Sequence, residues 1–318
     1  MMKKRCLLMT SITFLLYASN VNGQAVSAEM YTDYMKFFGA LRMETLSGSG
    51  AEHKTMMALQ DSAALLTDEA PPVGYDIKTL PPGKKILADE TIYAQRKHSV
   101  FIMGKLKRAD TATGRVDFDL TGTAFAIAPD GICVTNYHVL QDIIRKDTTK
   151  ENRDSIYFIA TVDKALYRIE KILAYSQNND IAVFQVNTNG TKFRPLPLGV
   201  PAQVGATVYC ISHPLSYFYY FSKGIVARNV RVDGQQAAAG YNPLGSPPIR
   251  MEITADYAVG SSGGPILDKY GNLVGIVSST AAVPANQRDA GNNTTFHQQM
   301  VVKDTAPVKA LTNLLKKQ

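Results

Sequence analysis

The sequence predicts an all-β molecule made of two antiparallel barrels in tandem, with a helical N-terminal extension and a C-terminal helix. Three observations lead there. From residue 99 onward, short runs rich in Val, Ile, Phe and Tyr are separated by polar turns, the pattern of antiparallel barrels. Residues 24–90 lack that alternation and place apolar side chains at helical spacing before a proline-rich stretch. Residues 306–316 return to helical spacing, with Val308, Leu311, Leu314 and Leu315 in one stripe and Lys316 and Lys317 placed for the negative end of the helix dipole.

The elements follow in chain order. Residues 1–23 open with Lys3-Lys4-Arg5, continue through an apolar run and end in small and polar residues, the pattern of a secretory signal peptide. That run is shorter than the roughly 20 apolar residues that span a bilayer, and no later stretch approaches that length, so no stable membrane insertion is expected. Cys6 precedes the apolar run, where a lipid-anchored cysteine would follow it. The expected location is secreted or periplasmic. Residues 24–94 form the extension, with helices over 30–43 and 52–66 around the break Ser47-Gly48-Ser49-Gly50 and a linker marked by Pro71-Pro72 and Pro81-Pro82-Gly83. A packed extension, a propeptide and a docking arm all fit this composition.

Strands are predicted over 100–105, 118–127, 132–135, 156–160, 166–174 and 181–186 for the first barrel, with residues 193–200 crossing to the second. The second takes 207–211, 217–232, 249–254, 265–267, 273–278 and 294–302. The aromatic run Tyr217-Phe218-Tyr219-Tyr220-Phe221, read as strand, puts Tyr217, Tyr219 and Phe221 on one face and Phe218 and Tyr220 on the other. Small residues and prolines over 235–248 predict a mobile loop that either crosses the surface or gates the cleft. Cys133 and Cys210 sit inside apolar strand-like runs and are expected to be free buried thiols.

Chemistry concentrates at Gly260-Ser261-Ser262-Gly263-Gly264-Pro265, where a serine stands among glycines on a turn whose backbone N–H groups can converge on an oxyanion. A hydroxyl needs a base and an orienting acid to attack at neutral pH. His138 follows the apolar run Ile132-Cys133-Val134-Thr135, and Asp180 stands between the polar Ser176-Gln177-Asn178-Asn179 and the apolar Ile181-Ala182-Val183-Phe184. Asp142, Asp147 and Asp163 lack that setting.

Thr121-Gly122-Thr123-Ala124-Phe125-Ala126-Ile127, Thr135-Asn136-Tyr137-His138-Val139, Asn179-Asp180-Ile181-Ala182-Val183 and the serine hexapeptide together resemble the trypsin-like, chymotrypsin-fold serine peptidases. Within them the bacterial HtrA/Deg-like branch is most similar, from Ile211-Ser212-His213-Pro214-Leu215 and Ser222-Lys223-Gly224-Ile225-Val226. The resemblance covers residues 95–305, read as the peptidase domain, with 306–318 as the C-terminal helix and no PDZ module expected after it. It implies Ser262 as nucleophile, His138 as base and then acid, Asp180 as orienting acid, and the N–H groups of Gly260 and Ser262 as the oxyanion hole. It also implies that Ser278 supports the acid and opens the strand on which extended substrate pairs. Asp256, six residues before Ser262, falls in an ungapped match at the pocket-floor position that selects Lys or Arg.

The sequence departs from the family at Ser261, where zymogen-activated members carry aspartate, at Ser212-His213-Pro214, where this branch usually has Gly-Asn-Pro, and at Thr280. The implied activity is endopeptidase hydrolysis of protein or peptide substrates through an acyl-enzyme. The alternative is an inactive peptide-binding module on the same fold. His213 is read as structural or pocket-lining, and His53, His98 and His297 as ordinary polar residues. No ligand spacing for zinc or calcium occurs, so neither metal nor cofactor is expected. With 34 Lys and Arg against 27 Asp and Glu the net charge is +7, and losing Lys3, Lys4 and Arg5 with a signal peptide leaves 31 against 27, or +4. That mild, scattered excess gives no nucleic-acid surface.

Overall fold

The structure, a computed structural model, describes residues 31–47, 56–72, 74–110, 115–146, 155–232, 242–288 and 294–316. The expected signal peptide and His53 lie outside these residues. The chain divides into a unit of residues 1–33, of which only 31–33 are described, and a unit of residues 34–318 that holds every element below.

Two closed six-stranded antiparallel barrels dominate the molecule. The first contains β1 (Val100–Asp110), β2 (Arg115–Ala126), β3 (Ile132–Thr135), β4 (Ile156–Ala160), β5 (Leu166–Ser176) and β6 (Ile181–Val186), in the order β1-β2-β3-β6-β5-β4. Every residue of β3 and β4 is buried, which explains their unbroken apolar runs. The second contains β7 (Thr207–Ser212), β8 (Tyr220–Arg231), β9 (Ile249–Ile253), β10 (Pro265–Leu267), β11 (Leu273–Arg288) and β12 (Thr294–Pro307), in the order β10-β11-β12-β9-β8-β7. Closure leaves neither barrel with an open edge around its wall.

Register places the site. Antiparallel pairing sets Thr135 of β3 opposite Ala182 of β6, so the chain leaving β3 and the chain entering β6 share one end of the first barrel. His138 and Asp180 therefore arrive at the same place from residues 42 apart in sequence. In the second barrel Pro265 pairs with Ile276, which brings the loop before β10 beside Val277 in the first half of β11.

Among the described residues three apolar clusters hold these parts. One lies within the first barrel and under its helices, including Phe101, Cys133, Phe184 and Leu140. Another fills the second barrel around Val208, Cys210, Met251 and Val277. The largest joins both, running from Phe125 and Val183 through Tyr209 and Ile211 to Ile276 and Leu311. Each fully buried aliphatic or aromatic side chain contributes about 1.5–3 kcal/mol. Cys133 and Cys210 are free and buried, and burial pushes the Cys210 thiol up to about 12 against a weaker opposing hydrogen bond with Ser212.

Among the described residues five α-helices accompany the barrels: α1 (Tyr34–Ser47), α2 (Met56–Ala63), α3 (Asp89–Arg96), α4 (Tyr137–Ile144) and α5 (Val308–Leu315). Helix α2 falls within the predicted 52–66, while α1 overlaps the predicted 30–43 but runs on to Ser47. Neither α3 nor α4 is expected from the sequence pattern. In α3, Asp89 and Glu90 occupy the first turn and Arg96 the last, matching the helix dipole. In α4, Tyr137, Val139, Leu140 and Ile143 are buried, so a run that reads as the end of a strand and a turn is an amphipathic helix bearing His138.

Three further expectations are corrected. The aromatic run is not continuous strand: a 3-10 turn at Pro214–Ser216 precedes it, Tyr219 has φ +57°, and strand begins only at Tyr220. Phe218 and Tyr219 are consequently both buried, whereas alternation put them on opposite faces. Strand β11 runs on to Arg288, past its predicted end at 278, and β12 runs on to Pro307, past its predicted end at 302, because the two stay paired from Gly275 opposite Pro307 to Arg288 opposite Thr294. The C-terminal helix starts at Val308, since Thr305 and Ala306 still pair with Val277 and Ile276.

Candidate active site

His138 lies in the first turn of α4, where backbone N–H groups have no partner within the helix. The Asp180 carboxylate supplies one. Its Oδ1 accepts the His138 backbone N–H at 3.1 Å, and the carboxylate meets the ring Nδ1 at 2.9 and 3.0 Å. Asp180 thus fixes both the helix end and the imidazole, leaving Nε2 as the ring nitrogen available to a hydroxyl. Ser278 Oγ donates to Asp180 Oδ2 at 2.6 Å, and Asn136 Nδ2 donates to the Asp180 backbone carbonyl at 2.8 Å. Asp180 itself adopts φ +57°, a left-handed conformation that aspartate tolerates better than branched residues.

The Asp180 side chain is 14% exposed and that of His138 44%. Burial acts to lower the His138 pKa, but the hydrogen bond and negative charge of Asp180 together outweigh it, and the net shift is upward. Arg250, on β9, brings a guanidinium into the same region. It donates through Nη2 to the Asn178 carbonyl at 2.9 Å; burial lowers its pKa, while Asp180 and Asp304 act to raise it.

The serine loop crosses from the second barrel to meet this pair. The Thr123 N–H donates to the Ser262 carbonyl at 2.8 Å, and Thr123 Oγ1 donates to the Gly260 carbonyl at 2.9 Å. A Cβ at Gly122 would stand 3.0 Å from the Ser262 carbonyl oxygen and 3.2 Å from Val139 Cγ2, so the serine and the residue after His138 flank one glycine. Among the described residues no hydrogen bond joins the Ser262 hydroxyl to the His138 ring. Such bonds commonly tighten only when substrate binds.

Within the loop, the N–H groups of Ser261, Gly263 and Gly264 donate to Ala258, Val277 and Ser261 carbonyls. Those of Gly260 and Ser262 donate to no acceptor among the described residues. The Leu215 N–H donates to the Val259 carbonyl at 2.7 Å, and because the two polar groups of a trans peptide point oppositely, the Gly260 N–H is aimed away from the Leu215 turn. Ser261, where zymogens carry aspartate, instead accepts a buried hydrogen bond from Ser212 Oγ at 2.9 Å. Gly260 has φ +95° and Gly263 φ +81°, both in the region that favours glycine.

His213 lies under this loop and is neutral, burial pushing its pKa down to about 3 against a weaker effect of the Phe101 backbone. Its Nδ1 accepts the Tyr219 N–H at 3.0 Å, while Nε2 has no well-formed hydrogen bond. The structure brings Asp180, His138 and Ser278 together with the Gly260–Ser262 loop but leaves Asp256 apart. The Asp256 side chain is 75% exposed and paired with Lys303. Next to it, Tyr257 is buried, and its hydroxyl reaches the carbonyls of Ser279 and Asp304 at 2.9 and 2.8 Å. His98 lies 4.0 Å from Asp163 on the surface. Among the described residues no three His, Cys, Asp or Glu side chains converge as a metal ion would require.

Sequence reasoning missed Arg250, the Leu215 turn, and the contacts that Asp68 and Glu69 make with the loop before Asp180. Only Arg250 left a trace, as a cation inside the alternating strand pattern Ile249-Arg250-Met251-Glu252-Ile253.

Comparison with known proteins agrees with this architecture. The trypsin-like peptidase domain family matches residues 122–276. Protease Do-like 1, chloroplastic, of Arabidopsis thaliana is 32% identical over 160 residues, covering 49% of this chain and 32% of that protein. Protease Do-like 5, chloroplastic, of the same plant is 26% identical over 196 residues, covering 61% and 58%. The probable periplasmic serine endoprotease DegP-like of Brucella suis is 27% identical over 159 residues, covering 49% and 26%. The chain therefore spans between about a quarter and three fifths of these relatives' lengths. Among solved structures, the crystal structure of Deg5 superposes with a TM-score of 0.51 at 20% identity, covering 71% of this chain and 93% of that one, a likeness of fold.

Proposed function

We propose that this chain, a trypsin-fold relative of the HtrA/Deg-like proteases with a trypsin-like peptidase domain, is a serine endopeptidase acting through an acyl-enzyme. The observation that carries the reading is the pair of contacts from Asp180 to the backbone and ring of His138, at the end of the first barrel that meets the Ser262 loop. In this reading Ser262 Oγ attacks a peptide carbonyl while His138 Nε2 takes its proton. Asp180 keeps the proton of the other ring nitrogen on Nδ1 and stabilises the imidazolium. The two N–H groups without protein acceptors, at Gly260 and Ser262, receive the oxyanion. The imidazolium then protonates the leaving amine, and water activated by the same ring releases the acid.

Extended polypeptide would pair with β11 just past Ser278, on the side facing away from β12 and beyond the last residue that β10 pairs. We read Asp256 as a surface residue neutralised by Lys303 and not as the floor of a cation pocket; the neighbouring Tyr257, buried with its hydroxyl on the Ser279 and Asp304 carbonyls, puts an aromatic ring where that reading had a carboxylate and favours small apolar side chains at the cleaved residue. The Lys3-Lys4-Arg5 start followed by an apolar run supports export, as does the word periplasmic in the name of the Brucella relative. Among the described residues no helix is long and apolar enough to cross a membrane.

The test is cleavage of a mixed peptide library by the purified chain beside Ser262→Ala. Cuts present in the first and absent in the second support the reading, and a preference for Lys or Arg would remove the Tyr257 argument. Equal cleavage by both proteins would end the assignment of Ser262.

A further inference from the structure

Behind the Asp180 loop lies a polar junction built from three distant parts of the chain. The turn Asp68-Glu69, from the N-terminal extension, enters it with Glu69 at φ +62°. Asp68 Oδ1 accepts the Gln177 N–H at 2.9 Å, and Oδ2 accepts Asn242 Nδ2 at 2.8 Å. Glu69 Oε1 accepts Ser176 Oγ at 3.2 Å, Oε2 accepts the Ser246 N–H at 3.0 Å, and the Glu69 N–H donates to the Tyr175 carbonyl at 2.9 Å. One oxygen of each carboxylate therefore holds the loop that carries Asp180, and the other holds the 242–248 loop of the second barrel.

The two loops are also joined directly. Asn178 Nδ2 donates to the carbonyls of Asn242 and Ser246 at 2.8 and 3.0 Å, and its Oδ1 accepts the Asn242 N–H at 2.8 Å. Asn179 Oδ1 accepts the Ile249 N–H at 3.2 Å, and a Cβ at Gly245 would come within 2.6 Å of Asn178 Nδ2. Immediately after these residues comes Asp180, whose backbone is held in a left-handed conformation that the surrounding contacts must maintain. A stretch that reads in the sequence as a mobile loop is, over 242–248, fastened at both ends.

We propose that Asp68 and Glu69 are positioning residues for the triad acid: they clamp the 176–180 loop against the 242–248 loop and so hold Asp180 at hydrogen-bonding distance from His138. The inference rests on the triad reading above. It makes the N-terminal extension part of the catalytic framework and not a removable leader. It also gives the 242–248 loop a route to the active site, since any partner that lifts this loop withdraws acceptors and donors from both carboxylates and from Asn178. The junction borders a cavity of about 430 Å³ that Glu69, Ser176, Asn179, Arg231 and Ser246 help to line. Water in that cavity can satisfy groups that a truncation exposes, so loss of the clamp need not unfold the barrel.

The experiment compares the full chain with Asp68→Ala, Glu69→Ala, Asn242→Ala and Asp68→Ala/Asn242→Ala. Each is measured for kcat and KM on one cleaved peptide, for the rate of Ser262 labelling by a fluorophosphonate, and for thermal unfolding. The clamp predicts that the single variants fold, keep KM and lose about tenfold to 100-fold in kcat, the scale of a misplaced catalytic group. Labelling slows in parallel, and the double variant is no slower than Asp68→Ala because both changes break one link. Folded variants with the kcat and labelling rate of the unaltered chain would overturn the clamp. Asn242→Ala keeps the comparison decisive even where Asp68→Ala does not fold, since Asn242 is a loop residue. Failure of the unaltered chain to label would instead bring down the triad reading, and the clamp with it.

Discussion

The His138 ring carries a pH signature set by its neighbours. Burial lowers its pKa, but the hydrogen bond and charge of Asp180 more than offset this, so the folded value stands above the ordinary 6.5. A general base must be neutral, and activity therefore falls as pH drops through that raised value. The same shift makes the His138–Asp180 ion pair a source of stability that is present below the unfolded pKa and disappears as pH rises through the folded one. In Asp180→Asn the burial remains and the upward causes go, so the acid limb of the kcat/KM profile should move to lower pH while turnover falls by as much as about 10⁴-fold. Other charges near Asp180, among them Arg250, Asp68 and Glu69, stay in place in that variant. An acid limb that does not move in Asp180→Asn would show that His138 does not set it. Gly260 offers a second test, because a Cβ there would meet the His213 carbonyl oxygen at 2.6 Å and the backbone has φ +95°. Gly260→Ala should turn the oxyanion donor away and cost about 100 to 1,000-fold in kcat, with Ser262 still present for labelling. Full activity in this variant would remove Gly260 from the oxyanion hole.

At the scale of elements, α4 links catalysis to the extension. Its inner face, Val139, Leu140 and Ile143, packs in one cluster with Met56, Leu59 and Ala63 of α2, and Gln60 Nε2 donates to the Asp142 carbonyl at 2.9 Å. Leu59 is fully buried, so Leu59→Ala should cost about 2–5 kcal/mol of stability, measured by denaturant unfolding. A loss under about 1 kcal/mol would mean that α2 is not firmly seated. These contacts also explain what was legible in the sequence and what was not. The strands around His138 and Asp180 could be read because β3 and β6 are buried on both faces and leave unbroken apolar runs. Helix α4 could not, because Val139 and Leu140 extend the β3 run in composition and its helical period emerges only with Ile143. The turn at 214–219 was hidden by aromatic alternation, which says nothing of the positive φ values at Leu215, Ser216 and Tyr219. Asp68 and Glu69 were illegible for a different reason: their partners lie more than 100 residues away, and no local pattern marks a carboxylate whose acceptor sites are filled by distant donors.

Across the whole molecule, two closed barrels give the site its rigidity. The cluster joining Phe125 and Val183 to Ile211 and Ile276 fixes one barrel against the other, and the Thr123 hydrogen bonds fix the serine loop to the wall of the first. Cysteine chemistry contributes nothing to this: Cys133 and Cys210 are free, buried, and raised in pKa chiefly by burial. Reductant should therefore leave the melting temperature unchanged, and a fall on reduction would mean that a bridge forms. The central claim is that one hydroxyl, prepared by one imidazole, attacks the substrate. Peptide mapping by mass spectrometry after fluorophosphonate treatment measures it most directly. A single adduct is expected, on Ser262, that His138→Ala and Ser262→Ala both abolish; an adduct on another residue, or one on Ser262 that forms as fast without the imidazole, would rule this chemistry out.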